Sequence, residues 1–283
     1  MTDSDRYDKL RSAIEEIASA HKTASLAVAL HDYESSFRFS LNGDRVFHAA
    51  STIKVAVLLA VMKTIDEGRL RLSDPLHVRN RFLSALDGTP YHMDSDSDGY
   101  PQLYRFVGQT VKIADLADCM ITSSSNLATN LLLDLVGTQR ATEMIHQAGV
   151  KGVDLRRGVA DNKAHESGLD NETTAEGLVE LLGVFRGDFL SKATRDHAIQ
   201  ILLQQKFTSM IPAGLPPHAT VAHKTGEIST VCHDAGIVYL PEREPYIVAI
   251  LTEVEPESEN RRETVAKISQ AVYEGVTGKT TAR

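Results

Sequence analysis

Apolar residues recur with two different periods along this chain, and the two periods occupy different stretches. Leu10, Ile14 and Ile17 fall at helical spacing, so the chain opens on an amphipathic helix. Leu26, Val28 and Leu30 alternate with their neighbours, as do Phe37, Phe39 and Leu41. With polar residues between Asp32 and Ser36, these runs predict two strands joined by a turn. The pattern then turns helical from 51 to 205. A strong helix is predicted over 51–67, closed by Gly68, with others near 111–120, 127–136, 174–185 and 192–204. Strand patterns return over 231–240 and 246–252, and Val265, Ile268 and Val272 mark a closing helix.

Strands at both ends with helices between them predict an α/β protein of two lobes within a single domain, 1–283. An antiparallel sheet lobe would use about 1–48 and 218–283, and an all-helical lobe would be inserted over about 49–217. A cleft between such lobes is the expected place for a site.

Composition narrows the classes. Hydrophobic residues make up 42% and charged residues 24%, as in an ordinary globular chain with material for a sizeable core. The net charge of -8 lacks the basic face of a nucleic-acid binder, so no nucleic-acid partner is expected. No stretch approaches the ~20 apolar residues of a membrane span, so no membrane partner is expected either. The polar, acidic start after Met1 lacks the pattern of a secretion signal. A full-length chain would therefore be cytoplasmic, and one trimmed at the N-terminus periplasmic or secreted. Cys119 and Cys232 lie in no C-x-x-C pair and read as buried free thiols, although spacing alone leaves a disulfide open. Asp94-Ser95-Asp96-Ser97-Asp98-Gly99 resembles the start of a calcium loop, but Arg105 stands where a bidentate Glu is needed. A solvated acidic loop is the expectation. No histidine spacing suggests a metal site.

Three short patterns carry candidate chemistry. In Ser51-Thr52-Ile53-Lys54, a first helical turn would put serine and lysine on one face. Burial and the positive helix N-terminus would both lower the lysine pKa, leaving a neutral amine to take the serine proton. The same residues also fit an N-cap serine with a nearby surface lysine. Ser123-Ser124-Ser125-Asn126 lies between two apolar helical runs. It fits helix capping, or a Ser124 hydroxyl for proton relay with an Asn126 amide for a substrate carbonyl. His223-Lys224-Thr225-Gly226-Glu227 precedes the 231–240 strand. Lys224 and Thr225 on a strand edge suit a substrate carboxylate, and Gly226 would let the substrate lie against the backbone. An ordinary strand entry fits as well.

The three occur in the order S-x-x-K, S-x-N, K-T-G. That set resembles class A β-lactamases and related penicillin-recognising serine enzymes. The resemblance runs from about Ser25 to Val276 and includes Gln205-Lys206-Phe207, Ile211-Pro212-Ala213-Gly214-Leu215-Pro216 and His233-Asp234-Ala235-Gly236. It implies the two-lobed β-lactamase-like fold and a small-molecule substrate, a β-lactam or a D-alanyl-type amide or ester, with no cofactor or metal. It also implies an acylated Ser51, with Lys54 as proton partner and Ser124 as relay. Asn126, Lys224 and Thr225 would bind substrate, and the backbone N–H groups of Ser51 and Glu227 would hold the oxyanion. A D,D-peptidase or esterase, or a penicillin binder with a stable adduct, remains the alternative.

Two departures stand out. Ser125 replaces the family's usual Asp. In the string Arg157-Gly158-Val159-Ala160-Asp161, Ala160 stands where the related hydrolases carry the Glu of R-G-V-E-D. Alanine cannot act as a base, so slow deacylation is expected, with Asp161 and Glu166 the nearest substitutes.

Overall fold

The computed structural model describes residues 2–280. Five antiparallel strands form the main sheet: β1 (Ser25–Asp32), β2 (Arg38–Leu41), β3 (Thr220–Ile228), β4 (Val231–Tyr239) and β5 (Tyr246–Glu253). Their spatial order is β3-β4-β5-β1-β2, so β1 from the N-terminal stretch pairs with β5 from the C-terminal one. The sheet is thus closed by both ends of the chain, as the segregated pattern predicts.

Period-2 alternation gives the sheet two different faces. Val28, Leu30, Val248, Ile250 and Val238 pack with Leu10 and Ile14 of helix α1 (Asp3–Ala20). Val265, Ile268 and Val272 of α9 (Arg261–Thr277) join the same cluster. The opposite face carries Ala27, Ala29, Ala235, Ala249 and Ile247, which belong to the core shared with the central helices. Small side chains there let α7 (Ala175–Val184) lie against β1 and β5.

The central segment supplies α2 (Lys54–Asp66), α3 (Ile113–Thr122), α4 (Asn126–Val136), α5 (Thr138–Gln147), α6 (Asn162–Glu166) and α8 (Lys192–Leu203). In α2, 10 of 13 residues are buried. A helix apolar on every side belongs inside, and α2 packs against α3, α4, α5 and α8. Among the described residues no helix is long and apolar enough to cross a membrane.

Several sequence expectations need correction. The predicted 51–67 helix is α-helical only from Lys54, and Ser51 sits in the preceding 3-10 turn, Ala50–Ile53. Ala50 enters that turn at φ 45°, a conformation an L-residue adopts only at a cost. The loop at 94–99 is solvated at Asp94 and Asp96, but Asp98 is buried. Its Oδ2 accepts the Leu127 N–H at 2.8 Å. A carboxylate at the exposed amides of a helix start is favourable, so Asp98 is a structural cap for α4. The reading of both cysteines as buried free thiols, by contrast, agrees with the structure.

Candidate active site

The three sequence patterns converge at the seam between lobes. A cavity of about 220 Å³ is walled by Ser51, Ser124, Asn126, Thr225 and Glu227, with Phe207, Met210 and Arg262 among its other residues. The turn bearing Ser51 is pressed onto β3. A Cβ built on Gly226 would lie 2.9 Å from Thr52 Cγ2, 3.0 Å from Thr52 N and 3.1 Å from Ser51 N. Gly226 therefore makes room for the Ser51 turn as well as leaving the strand edge open, a reason the sequence reading did not contain.

Lys54 is fully buried, which excludes a surface lysine. Its Nζ donates to the Ser124 carbonyl at 2.6 Å, Asn126 Oδ1 at 2.8 Å and Ser124 Oγ at 3.1 Å. Three acceptors match the three protons of an ammonium. Among the described residues there is no direct Ser51–Lys54 hydrogen bond, contrary to the simple pairing that the motif suggests. Burial lowers the Lys54 pKa to about 7, with the Asp98 charge opposing part of that shift.

Lys224 is buried too, and its Nζ donates to Ser124 Oγ at 3.1 Å and to the Thr225 carbonyl at 2.8 Å. Burial and the nearby Lys54 charge push its pKa well down. Ser124 thus stands between two amines, at φ 60° in the left-handed region. The wall of the cavity is formed by Thr225 and not by Lys224, so direct contact of Lys224 with a ligand is not what this geometry offers. Ser125 replaces the usual Asp without loss of the turn: its hydroxyl accepts from Ala128 N at 3.2 Å and caps α4.

Behind β3, His223 Nδ1 pairs with Asp234 Oδ1 at 2.9 Å. His233 accepts the Thr252 N–H at Nδ1 and faces the His48 carbonyl from Nε2 at 3.1 Å. That pattern requires the neutral tautomer with its proton on Nε2, and burial lowers the His233 pKa to about 4. Both histidines are buried supports.

A second cavity, of about 330 Å³, adjoins the first through Ser51 and Asn126 and is also walled by His48, Ala160 and His165. Ala160 has φ 57°, on a loop clamped by Asn130, whose Oδ1 accepts the Val159 N–H at 2.8 Å and whose Nδ2 donates to the Val159 carbonyl at 2.9 Å. Asp161 does not reach this cavity. Its carboxylate caps α6 through Ala164 N at 3.2 Å and accepts Ala85 N at 2.8 Å. Glu166 is exposed at the end of α6 and is likewise outside the wall. Neither substitute base is positioned for Ser51.

Donor atoms of His48, His165 and Asp170 lie within 4.8 Å of one another. Arg157 Nη2, at 2.6 Å from Asp170 Oδ1, already supplies the cation of that cluster. The sequence reading missed this cluster, Asp98 and Asn130. Asp98 lies in the acidic string expected to be solvated, the others lie in no recognisable motif, and each gains its role from a contact across the fold.

A serine on a tight turn, two buried lysines meeting at a second serine, and a Lys-Thr-Gly strand define a serine enzyme related to class A β-lactamases. The chain belongs to the beta-lactamase enzyme family, whose profile matches residues 9–276. It is similar to extended-spectrum beta-lactamase PER-1 of Pseudomonas aeruginosa, at 24% identity over 94% of this chain and 86% of that one. It is also similar to a beta-lactamase of Streptomyces fradiae, at 25% identity over 90% and 82% of the two chains. Among solved structures, mutant PBP-A in an acyl-enzyme complex with penicillin G matches with a TM-score of 0.81 and 26% identity, covering 96% of this chain and 97% of that one. A mutant class A β-lactamase representing the last common ancestor of Gram-negative bacteria matches at 0.81 and 26%, covering 94% and 98%.

Proposed function

We propose that this chain is a serine hydrolase that opens a β-lactam or a related amide or ester by acylating Ser51, and that it releases the acyl group slowly. The observation that carries the reading is Ser124 Oγ, held at 3.1 Å by each of two buried lysines, in the wall of the cavity that contains Ser51.

Lys54, lowered to about 7, is half neutral at neutral pH. The neutral amine draws the Ser51 proton, directly or through Ser124, as Ser51 Oγ attacks the substrate carbonyl carbon. The proton then passes by way of Ser124 to the leaving nitrogen or oxygen as that bond to carbon breaks. Backbone N–H groups of Ser51 and Glu227 stabilise the oxyanion. Asn126 holds the substrate amide. Thr225 meets the carboxylate, with Lys224 behind it contributing positive potential.

Ala160, at the wall of the adjoining cavity, favours the slow second half. The similarity to PBP-A, solved as a penicillin G acyl-enzyme, keeps a penicillin-binding or peptidase role as the second reading. A chromogenic cephalosporin followed by intact mass separates them. Sustained turnover lost in Ser51→Ala supports the hydrolase, and a persistent adduct supports the binder. No reaction at Ser51 with either a penicillin or a D-alanyl ester would refute both.

A further inference from the structure

The wall that lacks a carboxylate at Ala160 carries two imidazoles, and their hydrogen bonds distinguish them. His48 accepts the Ala50 N–H at Nδ1 at 3.0 Å, and its Nε2 lies 3.5 Å from both Arg157 Nη2 and Asp170 Oδ1. Both of its nitrogens are committed. His165 is the reverse case. Its Nδ1 lies 2.8 Å from Asp170 Oδ1 and 3.1 Å from Oδ2. A carboxylate only accepts when ionised, so this nitrogen carries a proton, and in the neutral ring Nε2 keeps a free lone pair. Among the described residues Nε2 has no partner.

Asp170 is itself fixed. Arg157 is buried and donates to Asp170 from Nη2 at 2.6 Å and to the Leu169 carbonyl from Nε at 2.8 Å. Asn171 Oδ1 accepts the N–H groups of Arg156 at 2.8 Å and Arg157 at 3.0 Å, and Nδ2 donates to the Arg157 carbonyl at 3.0 Å. The neck of the loop is thereby closed around a carboxylate that sets the tautomer of one histidine. An acid that orients a base beside a serine is the arrangement nucleophilic catalysis uses elsewhere.

We infer that His165, oriented by Asp170, is the general base that activates water for deacylation of Ser51. This rests on the acyl-Ser51 reading above. Water in the 330 Å³ cavity gives a proton to His165 Nε2 as its oxygen bonds to the acyl carbonyl carbon. The tetrahedral intermediate collapses, the carbon–Oγ bond of Ser51 breaks, and the proton on Nε2 passes to Oγ through solvent or the Ser124 relay. The net change is ester plus water to acid plus serine, with no other reactant. Charged and titratable groups around His165 are Asp170 and Arg157 from the loop, His48 edge-on at 5.8 Å, and Lys163 and Glu166 on its own helix, Lys163 being paired with Asp87.

The test acylates the protein with benzylpenicillin, removes the excess, and follows return to the free mass with and without added imidazole. Expected are about 10²-fold slower release in His165→Gln and partial rescue of that variant by added imidazole. Asp170→Asn, which removes the charge but keeps the shape, is expected to slow release too, with acylation and the melting midpoint unchanged in His165→Gln. Equal release in wild type and His165→Gln, no rescue of His165→Gln by imidazole, or an adduct that wild type never releases would each overturn the inference while leaving acylation intact. Absence of any wild-type adduct would overturn the acyl-Ser51 reading and this one with it.

Discussion

Replacing Lys54 by Met removes the amine from the centre of the site and keeps most of the stem. An ordinary lysine with a pKa of 10.5 would be neutral in about 3 molecules in 10⁴ at pH 7. Burial brings Lys54 to about 7, so about half is neutral, a gain of about 10³-fold in competent base. Acylation should therefore rise about tenfold per pH unit up to about 7 and level off above it. The groups facing this amine are Lys224, which shares Ser124 Oγ, the buried Cys119 thiol, which burial keeps protonated, and Asp98, whose charge opposes the shift. Lys54→Met should lose about 10²–10⁴-fold in acylation rate and lose the break near neutrality. Rapid-quench mass spectrometry over a pH series measures both. Stability carries the same signature. Between about 7 and 10.5 the unfolded chain holds a proton that the folded amine has released, so stability rises with pH in that window. At about 1.4 kcal/mol per pH unit, the 3.5-unit gap corresponds to an upper bound of about 5 kcal/mol. The Met variant should lose the Lys54 share of that slope and keep the share from Lys224, whose pKa is also pushed down. Wild-type acylation by Lys54→Met, or a wild-type profile flat through neutrality, would refute the reasoning.

Other substitutions probe the surrounding frame. Gly226→Ala forces a methyl against Thr52 and the Ser51 amide, and should cost about 1–3 kcal/mol in urea unfolding with a matching loss of acylation. Asn130→Ala strips both partners from Val159 and should cost about 1–3 kcal/mol and loosen the loop, read as faster amide exchange near residue 159. Ala160→Glu places a carboxylate in the wall beside Ser51 and should speed deacylation by about 10²–10⁴-fold; an unchanged release rate would deny that position its role.

The lobes were legible because two-residue and 3.6-residue periods occupy separate stretches, and each period dictates its own element. The three motifs were legible because the chemistry needs fixed residue types at short spacing. What escaped depended on contacts across the fold. The apolar run after Lys54 signals a helix but not that its first turn tightens to 3-10 at Ser51. Asp98 reads as one acid among three until the loop folds it under α4. His165 and Asp170 are five residues apart on a polar stretch with no periodicity, and only Arg157 and Asn171 closing the loop neck bring them together. The charge of Asp161 gave no sign that it would be consumed in capping.

The most direct measurement is the intact mass of the protein after brief exposure to benzylpenicillin, with peptide mapping of any adduct. One penicilloyl group on the peptide containing Ser51, absent from Ser51→Ala and slow to form in Lys54→Met, is the expected result. An unmodified wild type, or an adduct that survives in Ser51→Ala, would contradict the mechanism at its root.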